Sequence, residues 1–282
     1  MLRRMLRQRI KTEGKQRGSD RPQAVAAPPR DRRLEAALAG DEIEIRFQPQ
    51  IDPVSGRILG VEALARWAEV ASPEALFARA TAAGLAERLS RTIQRKALRL
   101  VGTWGGVLGE LSLSLNVLPQ DLDREGFEAW LLEEIALAGI DPQRITAEII
   151  ESALLSDRPA VAARLGVLRD HGVQIAIDDF GTGYANLVYL TSLPLDAIKI
   201  DRAMVADLVG QERDRIVVKA MISMARELGL KIVVEGVESV AQLDLVAAWG
   251  CDLYLGFLGA GALDVAELAR FVTTSNALAD AA

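Results

Sequence analysis

Ile175-Ala176-Ile177-Asp178-Asp179-Phe180-Gly181-Thr182-Gly183-Tyr184 is the stretch whose reading decides the fold. An apolar run from Val173 to Ile177 ends on two adjacent carboxylates, and a glycine-bracketed loop follows. Such a run reads as a strand buried on both faces. Neighbouring side chains of a strand point to opposite faces, so Asp178 and Asp179 are expected to aim at two different things. Two unpaired carboxylates in contact repel, and one is pushed toward protonation. A divalent cation removes that conflict, because hard cations prefer oxygen ligands. A solvated aspartate pair opening a turn is the plain alternative, and this stretch alone leaves both readings open.

On either side of it, short apolar runs alternate with amphipathic helical patterns. Residues 42–50 and 57–64 alternate like strands around a turn at 53–56, which makes a hairpin. Further strands are expected at 111–116, 145–150, 197–200, 231–237 and 252–257. Helices are expected near 34–38 and at 73–83, 87–101, 127–138, 160–170, 213–228, 240–249 and 265–272. The 127–138 helix is expected to carry Trp130, Leu131 and Ile135 inward. After the hairpin the strand–helix alternation recurs about six times, which argues a parallel sheet with helical crossovers. Over roughly 240 residues without a break in composition, an α/β fold closed into one barrel accounts for the pattern best. An open doubly wound sheet is the alternative, weakened because no G-x-G-x-x-G loop follows any strand.

Composition narrows the chemistry. Cys251 is the single cysteine, which excludes an internal disulfide and a cysteine-rich zinc site. His171 is the single histidine and stands at an expected helix end, so a multi-histidine metal site is impossible. No apolar run reaches the length of a membrane span, and the charged N-terminus lacks the apolar segment of a secretion signal; the expected location is cytoplasmic. The first 33 residues carry eleven Lys/Arg and three acids, a net +8. With an overall −6, the remainder carries −14. A body that acidic is a poor binder of nucleic-acid polymer. Residues 1–33 read as a basic, disordered tail, able to touch an anionic membrane or an acidic partner. The folded domain is expected over 34–272, with 273–282 as a C-terminal tail.

The strand ends are unusual. In chain order they carry Glu62, then Asn116, then Glu148 with Glu151 following, then Asp178 and Asp179. Lys199 with Asp201, and Glu235 with Glu238, complete the series. In a barrel the C-terminal strand ends converge on one mouth. A ring of salt bridges would need more cations than Lys199 supplies. A carboxylate-rich site without histidine or thiol suits Mg²⁺ or Mn²⁺. Two such ions can clamp a phosphodiester and supply hydroxide at neutral pH. The residues alone thus reach metal-assisted phosphoester hydrolysis.

These residues resemble a known family. Glu62-Ala63-Leu64 followed by Ala65-Arg66-Trp67 is similar to the signature of the EAL-domain cyclic-di-GMP phosphodiesterases. The likeness continues through Phe47-Gln48-Pro49, Leu113 to Asn116, Glu148 to Ser152, Asp178 to Tyr184, Ile198 to Asp201, Val234 to Glu238 and Gly250-Cys251-Asp252. The resemblance implies a modified TIM (β/α)8 barrel with an antiparallel first strand. It implies that Glu62, Asn116, Glu148 and Asp178 hold one metal ion, and that Asp178, Asp179 and Glu235 serve a second. It implies catalytic roles for Lys199, Glu235 and Asp179, and ligand contacts for Gln48, Leu64, Arg66 and Asp201. Glu151 and Glu238 would support the ligands, and the loop of Phe180, Gly181 and Gly183 would couple the metals to a homodimer. The implied partner is cyclic di-GMP, opened to linear pGpG. Departures from the family pattern cluster at the last strand. Leu255 stands where a glutamine is usual, and Leu258-Gly259-Ala260-Gly261-Ala262 replaces an Arg-Pro segment. A catalytically degenerate module that binds cyclic di-GMP or a protein is therefore the alternative.

Overall fold

A computed structural model describes residues 29–150, 158–181 and 187–280. Eight strands close into a barrel in chain order. They are β1 (Glu44–Ile51), β2 (Ile58–Arg66), β3 (Ser112–Val117), β4 (Ile145–Ile150), β5 (Gln174–Phe180), β6 (Ala197–Ile200), β7 (Lys231–Val234) and β8 (Leu253–Tyr254). β1 runs antiparallel to both β2 and β8, and the other neighbours are parallel. The modified barrel with an antiparallel first strand is therefore what forms, and the open sheet is excluded.

The longer helices are α1 (Arg32–Ala39), α2 (Pro73–Ala82), α3 (Ala86–Gly102), α4 (Phe127–Ala138), α5 (Arg158–Asp170), α6 (Glu212–Glu227), α7 (Val240–Trp249) and α8 (Val265–Ala279). Their ends follow local chemistry. Ser239 and Gln242 form a capping box on α7, and Asp264 and Glu267 form one on α8. Gly139 closes α4 in the left-handed conformation (φ +68°). α3 buries Leu89, Ile93, Ala97 and Val101, spaced four apart, against the barrel wall.

Alternation along the strands sorts side chains between wall and lumen. In β2, Val61, Ala63 and Ala65 are buried toward the helices, whereas Glu62, Leu64 and Arg66 share the other face. The same parity sets Asn116, Glu148, Asp178 and Lys199 inward, while Leu115, Ile149, Ile177 and Ile198 pack outward in the core.

The structure corrects several expectations. α8 runs to Ala279, so residues 273–279 are helix rather than tail. Its Asn276 Oδ1 accepts the Ile58 N–H at 3.0 Å, tying the helix to the start of β2. At the other end, residues 31–33 belong to the fold, not to a tail. Asp31 caps α1 and accepts from Arg79 at 2.6 Å, and Arg33 and Arg79 lie over the Trp67 ring at 5.3 and 4.7 Å. Residues 1–28 lie outside the described residues. β7 and β8 are shorter than expected, because β8 pairs with β1 only at Ile51↔Tyr254. Trp130 packs against the core beside Phe127, though less deeply than Leu131 and Ile135. It is half-buried, with Arg91, Arg124 and Arg95 at 5.0, 4.9 and 5.8 Å from its ring. His171 is exposed at the end of α5, as its neighbours suggested. No described helix is long and apolar enough to cross a membrane.

Candidate active site

Lys199 is the centre of the lumen. Its side chain is 1% exposed, and its Nζ lies 2.6 Å from Glu235, 2.8 Å from Glu148, 3.1 Å from Glu62 and 3.1 Å from Asp178. These carboxylates come from four different strand ends, brought to one point by barrel closure. Asn116 joins them through Nδ2, which donates to Glu62 Oε1 at 3.0 Å. The ladder explains the neighbourhood: Asn116 pairs with Glu148, and Gln48 with Glu62.

Asp178 and Asp179 do not obey simple alternation. The β5–β6 register shifts between Ile177 and Phe180, so a bulge interrupts the strand at the two aspartates. Asp179 takes a left-handed backbone (φ +57°), a conformation that aspartate tolerates better than most residues. Its N–H donates to Asp178 Oδ1 at 2.9 Å. The bulge leaves Asp179 half-buried, in the fields of Asp178, Asp201, Lys199 and Glu62. The bulge thus breaks the alternation that would set the two carboxylates on opposite faces.

The electrostatics follow from crowding. Burial, then Glu62, raises the Glu148 carboxyl well above its ordinary range. Burial is the main cause that pushes Glu235 up to about 7, with Asp178 and Glu62 adding to it against Lys199. Burial and then Asp178 push Asp179 up to about 6. For Lys199, burial opposes the charge, but Asp178, Glu148, Glu62 and Glu235 outweigh it and hold the ammonium strongly protonated. Four carboxylates against one ammonium leave an excess of negative charge at a buried point, which is costly unless neutralised.

That imbalance, and a donor set made of oxygens alone, fits a hard divalent cation. Among the described residues no three acidic, histidine or cysteine side chains bracket a cation position outright. The carboxylates are drawn onto the Lys199 ammonium instead.

The remaining expected residues fall into two groups. Leu64 and Arg66 stand on the lumen parity of β2, partly exposed near the mouth. Among the described residues Arg66 forms no ion pair, and burial lowers its proton affinity. Gln48 Nε2 donates to the Ala260 carbonyl at 3.3 Å, which links β1 to the segment after β8. Asp201 Oδ1 caps the short helix Arg202–Val205 through Ala203 N–H at 2.8 Å. Phe180 is buried in the wall, and Gly181 (φ +107°) opens the loop beyond it. Glu238 is exposed, and its N–H donates to Gln242 Oε1 at 2.9 Å at the start of α7. Glu151 and Gly183 lie outside the described residues. Leu255 is 3% exposed, held through its backbone between Val234 O and Val237 N–H. Two residues that sequence reasoning missed, Gln94 and Asp121, are buried behind Asn116. The available signal was a pair of polar residues, Ser90 and Gln94, on the otherwise apolar face of α3.

Comparison with known proteins bears on the fold and the family. A cyclic di-GMP phosphodiesterase of Pseudomonas aeruginosa is 36% identical over 233 residues, 80% of this chain, and the phosphodiesterase NbdA of the same organism is 33% identical over 85% of it. The chain spans only 39% and 31% of the lengths of these two relatives. Among solved structures, the MucR phosphodiesterase of P. aeruginosa in complex with c-di-GMP superposes with a TM-score of 0.78 at 30% identity, covering 83% of this chain and 97% of that one. A Klebsiella pneumoniae BlrP1 complex with manganese and cyclic di-GMP superposes with a TM-score of 0.72 at 29% identity, covering 84% of this chain and 58% of that one. The EAL domain model matches residues 31–262, which take in all the strands and every carboxylate around Lys199, and the chain belongs to the EAL domain family.

Proposed function

We propose that this chain is a divalent-cation-dependent phosphodiesterase that opens cyclic di-GMP to linear pGpG. The observation that carries the reading is the convergence of Glu62, Glu148, Asp178 and Glu235 on one buried ammonium. Such an excess of carboxylate is expensive in a structural core and useful where cations must be held. Glu62, Asn116, Glu148 and Asp178 would hold one Mg²⁺ or Mn²⁺, and Asp178, Asp179 and Glu235 the second. When bound, such ions polarise the phosphoryl group and supply hydroxide near neutral pH. Lys199 keeps its proton throughout, so it acts as a fixed positive charge and hydrogen-bond donor facing the developing charge. Arg66 suits a phosphate anchor, since among the described residues it forms no ion pair, and of the carboxylates only Glu74 and Glu62 act on its charge, through their fields. In the reaction, water oxygen bonds to phosphorus and the P–O3′ bond breaks. The proton lost by water passes to solvent and the 3′ oxygen takes one from it, while Asp179 and Glu235 would act as carboxylates that hold and orient the second cation.

Purified protein incubated with cyclic di-GMP and either cation is expected to yield pGpG on chromatography, and Glu62→Gln to abolish it. Absence of pGpG under both Mg²⁺ and Mn²⁺ overturns the reading. One observation favours a second reading, binding without turnover. Leu255 puts a buried alkyl chain at the end of β8, where no hydrogen bond can be made to water or ligand. A lost positioning group costs about a hundredfold in rate. Leu255→Gln is expected to raise turnover; if it creates activity in a chain that has none, the wild type is a binder.

A further inference from the structure

The strand end that carries Asn116 outruns its ladder on one side. β2 pairs with β3 only as far as Glu62↔Ser114, whereas β4 accompanies β3 through Val117. A side chain takes up the loose carbonyl: Gln94 Nε2, from α3, donates to Asn116 O at 2.9 Å. The same Nε2 donates to Asp121 Oδ2 at 3.2 Å. That oxygen also accepts from Ser90 Oγ at 2.5 Å and from the Leu118 N–H at 3.0 Å. Asp121 is 0% exposed, Gln94 1% and Ser90 2%. The network lies between α3 and the barrel wall, outside the lumen.

Its composition is costly. Apolar residues at these positions would pack without losing hydration, whereas a buried carboxylate without a neighbouring ion pair does not. Asp121 Oδ1 and Gln94 Oε1 have no hydrogen-bond partner among the described residues. What the network accomplishes is orientation. Gln94 holds the backbone of Asn116, and Glu62 takes its Nδ2–H. One amide N–H is thereby engaged, and Oδ1, the amide's acceptor atom, is the one able to meet a cation.

We infer that Gln94 and Asp121 are positioning residues, which set Asn116 at the strand end and thereby the affinity of the site for its divalent cation. The inference rests on the reading of Asn116 as a cation ligand. Its test is a Mn²⁺ titration of the full chain without nucleotide, followed by calorimetry. Gln94→Leu keeps the bulk and removes the donor; it is expected to weaken Mn²⁺ binding by about ten- to a hundredfold. Ser90→Ala, a milder change in case Gln94→Leu fails to fold, is expected to weaken it about fivefold, one ordinary hydrogen bond. Asp121→Leu removes the acceptor shared by Gln94, Ser90 and the Leu118 N–H, and is expected to weaken Mn²⁺ binding about as much as Gln94→Leu. Leu98→Ala, a core truncation on the same helix, is expected to lower the melting temperature and leave Mn²⁺ affinity unchanged. Gln94→Leu and Ser90→Ala binding as tightly as wild type, or no more weakly than Leu98→Ala, overturns the inference while the proposed function stands. A wild type that binds no Mn²⁺ sinks both.

Discussion

Lys199 shows how far one residue decides what its neighbours can be. Glu148 is 1% exposed, and burial raises its carboxyl well above the ordinary range against the opposing pull of the lysine. The lysine is the shared counter-charge of four carboxylates at once. Lys199→Met removes it with little change in volume. Because breaking a buried ion pair costs about 3–5 kcal/mol, the metal-free variant is expected to melt well below wild type. Added Mn²⁺ should restore much of that loss, since the cation then does the neutralising, while turnover falls about a hundredfold or more. Melting curves with and without Mn²⁺ check this; a variant as stable as wild type without metal contradicts the account. The pairing of Asp178 with Asp179 was legible as chemistry from residue type alone. Its geometry was not, because a bulge is set by the register of the adjoining β6, twenty residues further on.

At the scale of elements, periodicity predicted the hairpin and the strand–helix alternation, because strand and helix periods are local properties. It misplaced the end of α8. Beyond Val272 the sequence Thr273-Thr274-Ser275-Asn276 is polar and reads as tail. The structure keeps it helical because Asn276 fills a need elsewhere, the buried Ile58 N–H. Asn276→Ala is expected to cost about 1–3 kcal/mol by leaving that donor unpaired. In a domain of this size that is about 2–4 °C of melting temperature per kcal/mol. Truncation after Val272 should cost more, since it also removes the contact between Arg57 and Asp280. A truncated chain that melts with wild type would make residues 273–280 a tail after all.

For the whole molecule, the consequence of closure is a charge problem with a pH signature. Glu235 is pushed from 4.5 to about 7, so the folded chain holds its proton more tightly than the unfolded chain. Between these two values the unfolded chain has released the proton and the folded chain has not. Stability without metal is therefore expected to fall as pH rises from 4.5 to about 7, and the raised Glu148 carboxyl adds in the same direction. Asp179, raised from 3.8 to about 6, adds in the same direction over a lower window. Lys199 does not counter this slope, because its proton is held in both states throughout that range. Saturating Mn²⁺ should reverse the slope, since cation and proton compete for the same oxygens. Melting temperatures across pH with and without Mn²⁺ test it; a metal-free chain that gains stability over this interval refutes it.

Residue types at the strand ends were determined by the sequence by itself: which strands end on carboxylate, carboxamide or lysine, and that no histidine or thiol competes with them. That is enough to exclude a multi-histidine or cysteine-rich metal site. The order of strands and helices was also determined, because each element's period is written in its own residues. Only the tertiary structure decided that four carboxylates share one ammonium and that a bulge interrupts β5 at Asp178 and Asp179. It alone enlisted Gln94 and Asp121 behind Asn116. The reason is geometric. Glu62 and Lys199 are 137 positions apart, and their 3.1 Å contact exists only once strand register and barrel closure are set together.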